Sequence, residues 1–436
     1  MIIAILFSII TIVLTIKNRV WGVAFVLLLL PSYLIRFSIF GIPFTLLEVM
    51  IIVLFFIHII KSIVLATPFR AFIPSWFDRL TMTRWSTPLS LLKDASNKFW
   101  YGNIALLLIA SVIGLLVTPD IRAGAGIWKA YIIEPILFFI ICTQSIRTRK
   151  DVALCLSALG LSATIIAAVA VFQYFTGWHI PAPWHDLPNR RATAFYGYPN
   201  AVGLYIAPIL TMLIGTLLSG FFTGRKKNLA MVCMIILCFG ALIVSRSDGA
   251  IVAVIAATGC MLLFTKWRWA TLTIGTVGLM LALTLPPIRH VLLFQDVSGD
   301  VRLALWTGTL HLLRAHPFVG SGLAGFPILY DIYRLPSHIE LLEYAHNIFF
   351  DFWVQLGLLG LIWIMMILIY SFITIAKTIH AKKPLGLILF GVFISILVYG
   401  LVDVPYFKND LSILFWFWLS LLFVQKLFAI EEKNAS

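Results

Sequence analysis

Charged side chains are scarce in this sequence. Of its 436 residues only 11% are Asp, Glu, Lys or Arg, whereas 61% are hydrophobic. Soluble globular domains are about a quarter charged and roughly half apolar. The mean hydropathy of +1.02 excludes a protein whose whole surface faces water, because no soluble core hides this much apolar surface. We therefore expect lipid to be the solvent for much of the chain.

Cysteine is also rare, and acidic residues are too few to suggest a metal site. The five cysteines lie in or beside apolar runs and have no metal-ligand spacing with histidine, so we expect small buried hydrophobic residues. They are Cys142, Cys155, Cys233, Cys238 and Cys260. No clear cluster of carboxylates suggests a metal, and we expect neither metal nor cofactor.

The net charge of +14 does not indicate nucleic-acid binding. Although a basic protein can bind nucleic acid, here the basic residues form short clusters between apolar runs, which is typical of membrane loops. The first run, residues 1–16, has no basic residue before it and no small-residue cleavage site after it. It is therefore expected to be a membrane helix rather than a removed signal peptide.

Apolar runs long enough to span a membrane recur along the chain. A helical span needs about 20 apolar residues, and helices satisfy the backbone polar groups within lipid. The first two runs are short, so the sequence predicts 12 or 13 spans, an all-α polytopic fold and one membrane domain over residues 1–436. The candidate spans are 2–16, 21–37, 43–60, 101–118, 128–145, 151–175, 199–220, 229–245, 249–265, 269–285, 347–376, 385–402 and 411–429.

The basic clusters predict the topology of these spans. Lys and Arg are enriched in cytoplasmic loops, and the clusters all fall on one side of the predicted spans. That side, together with the C-terminal residues, is expected to be cytoplasmic. The clusters lie at 17–19, along 61–98, and at 147–150, 225–227, 266–268 and 377–383.

The opposite, external face carries basic side chains against this trend, and anion binding is a physical reason for them. These are Arg190, Arg191, Arg246, Arg289, Arg302, Arg314, Arg334 and Lys408. Seven of the nine histidines are predicted on the same face, namely His179, His185, His290, His311, His316, His338 and His346.

A long external loop is predicted at about 286–346. Between 300 and 316 it carries Leu303, Trp306, Leu310 and Leu313 at helical spacing. This pattern favours an amphipathic helix at the membrane surface with the apolar stripe toward lipid. Packing of the same helix on other helices is the alternative.

A glycine pattern, G-x-G-x-x-G, follows at 320–325. No parallel-sheet strand precedes it, so it does not indicate a dinucleotide site. We expect a flexible turn whose amides can approach a phosphate.

Two polar pairs open predicted spans. Asn200 is a natural N-cap for the span that begins near residue 201, which would place Arg191 at the membrane surface. A plain interfacial anchor is the alternative role for Arg191. His346 and Asn347 open a later span, in which the glycines Gly357 and Gly360 would let a neighbouring helix approach closely.

This second pair carries a family resemblance. His346-Asn347, nine residues, then Gly357-Leu-Leu-Gly360 is similar to the signature of O-antigen ligases. Other stretches resemble the same superfamily of O-antigen ligases and polymerases, in the same order and topology over about 190–425, including the loop at 286–346. They are 191–200, the Ser245-Arg246 turn, Arg302-x3-Trp306 leading to 317–322, and 400–403 before the last helix. In the first half of the chain, residues 128–135 also resemble such proteins.

The resemblance implies a C-type membrane glycosyltransferase at the outer face of a bacterial cytoplasmic membrane. The donor would be a glycan on undecaprenyl diphosphate, and the acceptor a sugar hydroxyl on lipid A-core for a ligase, or on another lipid-linked glycan for a polymerase. The histidine signature favours the ligase, with attachment to a protein or cell-wall polymer also open. A lipid-linked-glycan flippase or transporter is the main alternative class, but no internal repeat is evident and the charges cluster at one face. A subunit without catalysis would not need the external Arg/His set.

The reaction suggests roles for the residues. Arginines stabilise the charge that develops on a departing diphosphate, and Arg191, Arg246 and Arg302 are the candidates. His346 is the candidate base or phosphate contact, since an ordinary pKa near 6.5 suits a base. Asp403, Glu343 and Asp351 are reserve bases with structural roles as the alternative. Substrate-binding roles are predicted for Arg190, Asn200, Trp306, Asn347 and Asp403, and the enzyme is expected to be metal-independent.

Overall fold

The computed structural model of the protein describes residues 2–39, 41–66, 95–286, 297–336 and 342–435, together with positions 289 and 295. Most of these residues are helical, and six helices are long and apolar enough to cross a membrane by length and composition. This confirms the predicted all-α polytopic membrane fold. The predicted basic residues between 67 and 94, and the histidines His290 and His338, lie outside the described residues.

The first half of the chain forms helices at or near the predicted spans. They are α1 (Ile2–Lys17), α2 (Arg19–Leu28), α3 (Leu46–Ala66), α4 (Ala95–Leu116), α5 (Ile121–Trp128), α6 (Glu134–Ser145), α7 (Arg149–Thr176) and α8 (Pro199–Leu218). A π-helical turn at Lys129–Ile133 joins α5 to α6.

The predicted span 21–37 is not one α-helix. A 3-10 turn at Leu30–Leu34 follows α2, because Pro31 has no amide hydrogen to continue the α-helical bonding. The antiparallel strands β1 (Arg36–Ile39) and β2 (Ile42–Thr45) then lead into α3.

The second half of the chain is also helical at every predicted span. Its helices are α9 (Arg225–Ser245), α10 (Asp248–Leu262), α11 (Arg268–Thr284), α12 (Val297–Ala315), α13 (Phe326–Tyr333), α14 (Ile348–His380), α15 (Pro384–Gly400) and α16 (Asn409–Ala435). The number of spans, 12 or 13, stays a prediction, because several of these apolar helices are shorter than the about 20 residues that a span needs.

Helix α8 lies at the centre of the bundle. Of its most apolar 18-residue window 83% is buried, and it packs against α7, α9, α10 and α15. Gly215 permits one of these contacts, since a Cβ there would lie 2.9 Å from the Ile388 Cα atom. By contrast, α11 has no buried residue, as expected for a helix at the edge of a membrane bundle.

Loops predicted to share a face contact one another. We call this side of the molecule the loop end. It comprises the β1–β2 hairpin and the connections at 117–120, 177–198, 246–247, 316–325, 342–347 and 401–408. For example, Thr118 Oγ1 donates to the Leu323 carbonyl at 2.6 Å. Among the residues of the other predicted face, Arg149 Nη2 donates to the Phe221 carbonyl at 2.8 Å. These contacts agree with the predicted alternation of loops, and the orientation in the membrane stays a prediction.

Helix α12 confirms the helix predicted within the long loop, but a different face is buried. Leu305, Leu312 and Leu313 are buried, whereas Leu303 and Leu310 of the predicted stripe are exposed. The reason is tertiary: α12 packs on α13 and α14 through a face rotated from the most regular apolar stripe. Packing on other helices, the alternative role, is therefore observed, and the orientation of the exposed leucines toward lipid stays a prediction.

The glycine pattern at 320–325 is a packed junction, and the expectation of a flexible turn was wrong. Gly320 and Gly322 have φ of 65° and 76°, a conformation that glycine tolerates best. The Ser321 amide donates to the Val354 carbonyl at 2.7 Å and the Leu323 amide to the Gly114 carbonyl at 3.0 Å. These amides therefore bind backbone carbonyls of α4 and α14. The amides of Gly320 and Gly325, which were expected to approach a phosphate, donate to the His316 and Gly322 carbonyls at 3.0 Å each.

Helix α14 kinks at Gly357, where φ is 67° and ψ is −167°. The Phe318 carbonyl enters the kink and accepts the Leu358 amide at 3.0 Å. A Cβ on Gly357 would collide with that carbonyl oxygen, and one on Gly360 would collide with the preceding turn at Phe352 and Leu356. The predicted close approach therefore exists, but a loop segment approaches Gly357 rather than a helix.

Candidate active site

The start of α14 places His346 at the loop end. The Asn347 side chain caps the helix, with Oδ1 accepting the amides of Phe349 and Phe350 at 3.0 and 3.2 Å. Its Nδ2 donates to the Leu401 carbonyl, just after α15, at 3.0 Å. The oxygen and the nitrogen of the Asn347 side-chain amide are thus both used, and together they join α14 to α15. These contacts favour a positioning role for Asn347, for which substrate binding was predicted.

This junction brings His346 against Asp403, which lies 57 residues away in the chain. The distance between His346 Nδ1 and Asp403 Oδ1 is 3.2 Å. Asp403 is itself held in place, because its Oδ1 accepts the Val404 amide at 2.9 Å and its amide donates to the Tyr399 carbonyl at 2.9 Å. A carboxylate only accepts hydrogen bonds, so the proton lies on Nδ1 and Nε2 is the atom left for other chemistry.

The electrostatic setting of His346 combines opposing effects. Burial lowers its pKa, but the charge of Asp403 and the hydrogen bond to it raise the pKa more, and the net pKa lies above the ordinary value. The Arg302 charge acts in the lowering direction, which places this predicted arginine within electrostatic reach of the imidazole. The His346 side chain is 24% exposed and that of Asp403 6%, so the histidine is reachable while its partner is buried.

His346 and Asp403 line a cavity of about 360 Å³. Small-molecule sites typically measure about 300–1,000 Å³, so the cavity is large enough for one small group of a substrate. Its polar and aromatic lining includes Tyr198, Glu343, Tyr344, His346, Asp403 and Lys408. Two of the reserve bases, Asp403 and Glu343, therefore share the cavity with the predicted base.

Lys408 was predicted among the external basic residues, but sequence reasoning gave it no role at the site. Its Nζ is buried, has no hydrogen-bond partner among the described residues, and lies 4.1 Å from the ring centre of Tyr196 and 5.3 Å from that of Tyr198. Burial lowers its pKa, while the charges of Asp410 and Asp403 oppose that change. The available signal was its position as a lone lysine five residues after Asp403 in the last predicted external loop.

Trp306 and Asp351 hold the backbone that precedes His346. Trp306 Nε1 donates to the Ala345 carbonyl at 3.1 Å, and the Ala345 amide donates to the buried Asp351 Oδ1 at 3.2 Å. His346 itself has a φ of 47°, a conformation that costs energy for a non-glycine residue and persists when its surroundings hold it. These contacts favour the structural role for Asp351 and a positioning role for Trp306.

Arg191 lies beside this cavity but does not line it. Its guanidinium donates to the carbonyls of Ser245 and Arg246 at 3.0 Å each and to Asn200 Oδ1 at 2.9 Å. Burial lowers its pKa, although the Asp248 carboxylate acts the other way. The group therefore joins the loop before α8 to the turn between α9 and α10.

Asn200 is not the N-cap that the sequence predicted. Helix α8 begins at Pro199 with Tyr198 at the N-cap position, because the proline ring suits the first helical position. The Asn200 side chain instead accepts from Arg191.

Two further arginines contact the loop that precedes α8. Arg246 is exposed, has a φ of 48°, and donates to the Pro188 carbonyl at 3.0 Å and to Asn189 Oδ1 at 3.5 Å. Arg190 donates to the His185 carbonyl and to the Tyr174 carbonyl at 3.0 Å each. Of the four arginines predicted at the site, Arg302 lies within electrostatic reach of His346, and the other three belong to the loop before α8 or contact it.

Tyr399 connects that loop to the cavity. Its hydroxyl lies 2.9 Å from Ser247 Oγ and 3.4 Å from the Asn200 carbonyl, and its own carbonyl accepts the Asp403 amide. One buried tyrosine therefore links the start of α8, which Arg191 also contacts through Asn200, to the backbone of Asp403.

A comparison with protein families gave a match over residues 232–365 to the family described as O-antigen ligase. This segment includes Arg246, Arg302, Trp306, His346 and Asn347, whereas Arg191, Asp403 and Lys408 lie outside it. A search of curated proteins gave no match. The family match confirms the resemblance seen in the sequence: residues 232–365 of this all-α polytopic membrane protein are similar to the O-antigen ligase family.

Proposed function

We propose that the protein transfers a glycan from undecaprenyl diphosphate to a sugar hydroxyl of an acceptor, at the external face of a bacterial cytoplasmic membrane. The observation that carries the proposal is the His346–Asp403 pair at the wall of a cavity that Lys408 also lines. A base and a cation at one site are what this substitution needs, since one substrate loses a proton while the other releases an anion.

In this reaction the acceptor hydroxyl oxygen bonds to the anomeric carbon of the donor sugar. The bond from that carbon to the phosphate oxygen breaks, and undecaprenyl diphosphate leaves with the electron pair. His346 Nε2 takes the hydroxyl proton, and Asp403 stabilises the imidazolium that forms. Such a base contributes typically about 100–10,000-fold in rate.

The departing diphosphate requires positive charge. Lys408 lines the cavity that contains the base, the Arg302 charge acts on the base, and Arg191 and Arg246 contact the adjacent loops. Preorganised cations in a partly dry site stabilise developing negative charge more than they would in water. We therefore assign Lys408 and Arg302 to the diphosphate, with Arg191 and Arg246 positioning the loop at its edge, and we expect no metal requirement.

The test is transfer by purified protein in detergent, with EDTA present. The donor is a labelled undecaprenyl-diphosphate glycan, and lipid A-core and a second lipid-linked glycan are offered separately as acceptors. Product on lipid A-core supports a ligase, and product on the lipid-linked glycan supports the polymerase. Absence of product with either acceptor, alongside donor movement across liposomes, would overturn the proposal in favour of a flippase.

A further inference from the structure

A second cavity, of about 260 Å³, opens at the loop end. The β1–β2 hairpin, the start of α3, and the π-helical turn between α5 and α6 form its walls. Its polar lining consists of Arg36, Thr45, Glu48, Lys129, Tyr131 and Asn409. None of these residues has a part in the proposed transfer step, so the cavity needs an explanation of its own.

The charged groups of this cavity are held in fixed positions. Lys129 forms an ion pair with Glu48, donates to the Pro43 carbonyl at 3.2 Å and lies 4.7 Å from the ring centre of Phe44. Glu48 is buried, and its Oε2 accepts the Thr45 amide at 3.2 Å. A surface ion pair is ordinarily mobile and weak, whereas this one is built into the wall.

The helix beneath the cavity departs from regular α geometry. The Glu134 amide donates to the Lys129 carbonyl, five residues back, which makes the turn π-helical. Both carboxyl oxygens of Glu134 are buried, and the side chain faces that of Glu48. Single π turns occur frequently at functional sites. Two buried carboxyl groups side by side destabilise a fold, so stability alone does not explain their presence here.

The two cavities are neighbours. Tyr131 lines the second cavity and its hydroxyl hydrogen-bonds Tyr344, which lines the His346 cavity. Asn409 of the second cavity follows Lys408 of the first. A pair of hydrogen-bonded tyrosines therefore lies between the two cavities, which are side by side at the loop end.

We propose that the second cavity, which Arg36 and Lys129 line, binds sugar residues of one of the two glycan substrates. These are sugars other than the one that reacts. The inference rests on the proposed function. Planar polar groups such as those of Arg36 and Asn409 form paired hydrogen bonds to adjacent sugar hydroxyls, and the rings of Phe44 and Tyr131 offer apolar faces to a pyranose. The sugars belong either to the acceptor or to the distal part of the donor glycan.

Steady-state transfer distinguishes these two sources. Arg36→Ala and Arg36→Gln are compared with wild type and with Arg122→Ala, a matched exposed arginine on α5 that lines neither cavity. Loss of one charged hydrogen-bonding group is expected to raise one KM about 10-fold, with kcat nearly unchanged and Arg122→Ala like wild type. A raised acceptor KM assigns the cavity to the acceptor, a raised donor KM assigns it to the donor, and unchanged values for both overturn the inference.

A binding measurement separates this inference from the proposed function. In the His346→Ala background, titration calorimetry uses a delipidated lipopolysaccharide core oligosaccharide and a short-chain prenyl-diphosphate glycan as probes. If wild type shows no transfer while Arg36→Ala still weakens binding of one probe about 10-fold, the second cavity stands and the transferase proposal falls. If wild type transfers glycan and Arg36→Ala binds both probes as tightly as its parent, the second cavity falls alone.

Discussion

Replacing Asp403 by Asn tests the role of the His346–Asp403 pair directly. Asn is nearly the same size, but it removes the negative charge 3.2 Å from His346 Nδ1. A hydrogen bond to a charged group contributes about 1.5–3 kcal/mol, which corresponds to roughly 10–150-fold in rate. We therefore expect kcat to fall within that range while the KM for the donor changes little.

The pH dependence gives a sharper test than the rate. His346 acts as a base only when neutral, so wild-type activity should rise as pH increases through its raised pKa. Burial and Arg302 lower the pKa of His346, whereas Asp403 is the main cause of its rise and the Asp351 charge adds to it. In Asp403→Asn the pKa should fall, and the acidic limb of the pH–rate profile should move to lower pH.

The assay is the detergent transfer reaction, followed from acidic to mildly alkaline pH at saturating donor. His346→Ala serves as the reference in which the acidic limb disappears, and thermal unfolding of each variant verifies the fold. If Asp403→Asn loses activity but keeps the wild-type acidic limb, Asp403 does not control the titration of His346 and the reasoning is refuted. A limb that moves to higher pH would refute it equally.

Three other predictions follow from single contacts. Lys408→Met keeps an apolar side chain beside Tyr196 but removes the ammonium group. The kcat for transfer should therefore fall on the order of 100-fold while the melting temperature stays normal. A wild-type kcat in this variant would contradict an electrostatic role for Lys408. Arg302→Ala should lower kcat strongly. Arg314 is an exposed arginine on the same helix, and Arg314→Ala should leave kcat unchanged; equal losses in the two variants would show a merely structural effect of α12. Gly357→Ala should destabilise the protein by about 1–3 kcal/mol, because its φ is 67° and the Phe318 carbonyl occupies the space; Gly126→Ala, with nothing near its Cβ position, is the matched control in thermal unfolding.

The fold could be predicted largely from local sequence. A membrane span requires only a run of apolar residues of sufficient length, and both properties are visible in the chain without knowing any neighbour. Helices therefore appear at every predicted span. The exceptions have local or tertiary causes: Pro31 ends α-helical bonding early, and the packing of α12 on α13 and α14 buries a face that periodicity alone did not select.

The candidate site was predictable only in part. His346 stood out because a histidine next to a helix start continued into a glycine signature, and the basic external loops indicated an anionic substrate. These signals do not show which polar atoms are already used. Arg191, Asn200 and Asn347 were predicted to act on substrate, yet their side chains bind protein groups, because buried polar atoms must find partners within the fold.

The sequence by itself determined that this protein is helical, lies in a membrane and resembles the O-antigen ligases, since hydropathy and short motifs are properties of consecutive residues. Only the tertiary structure decided that Asp403 lies against His346, that Lys408 lines the same cavity, and that Tyr131 lines a second polar cavity. The physical reason is that hydrogen bonding, burial and charge act between residues that are close in space, and here those residues are separated by as many as several hundred positions in the chain.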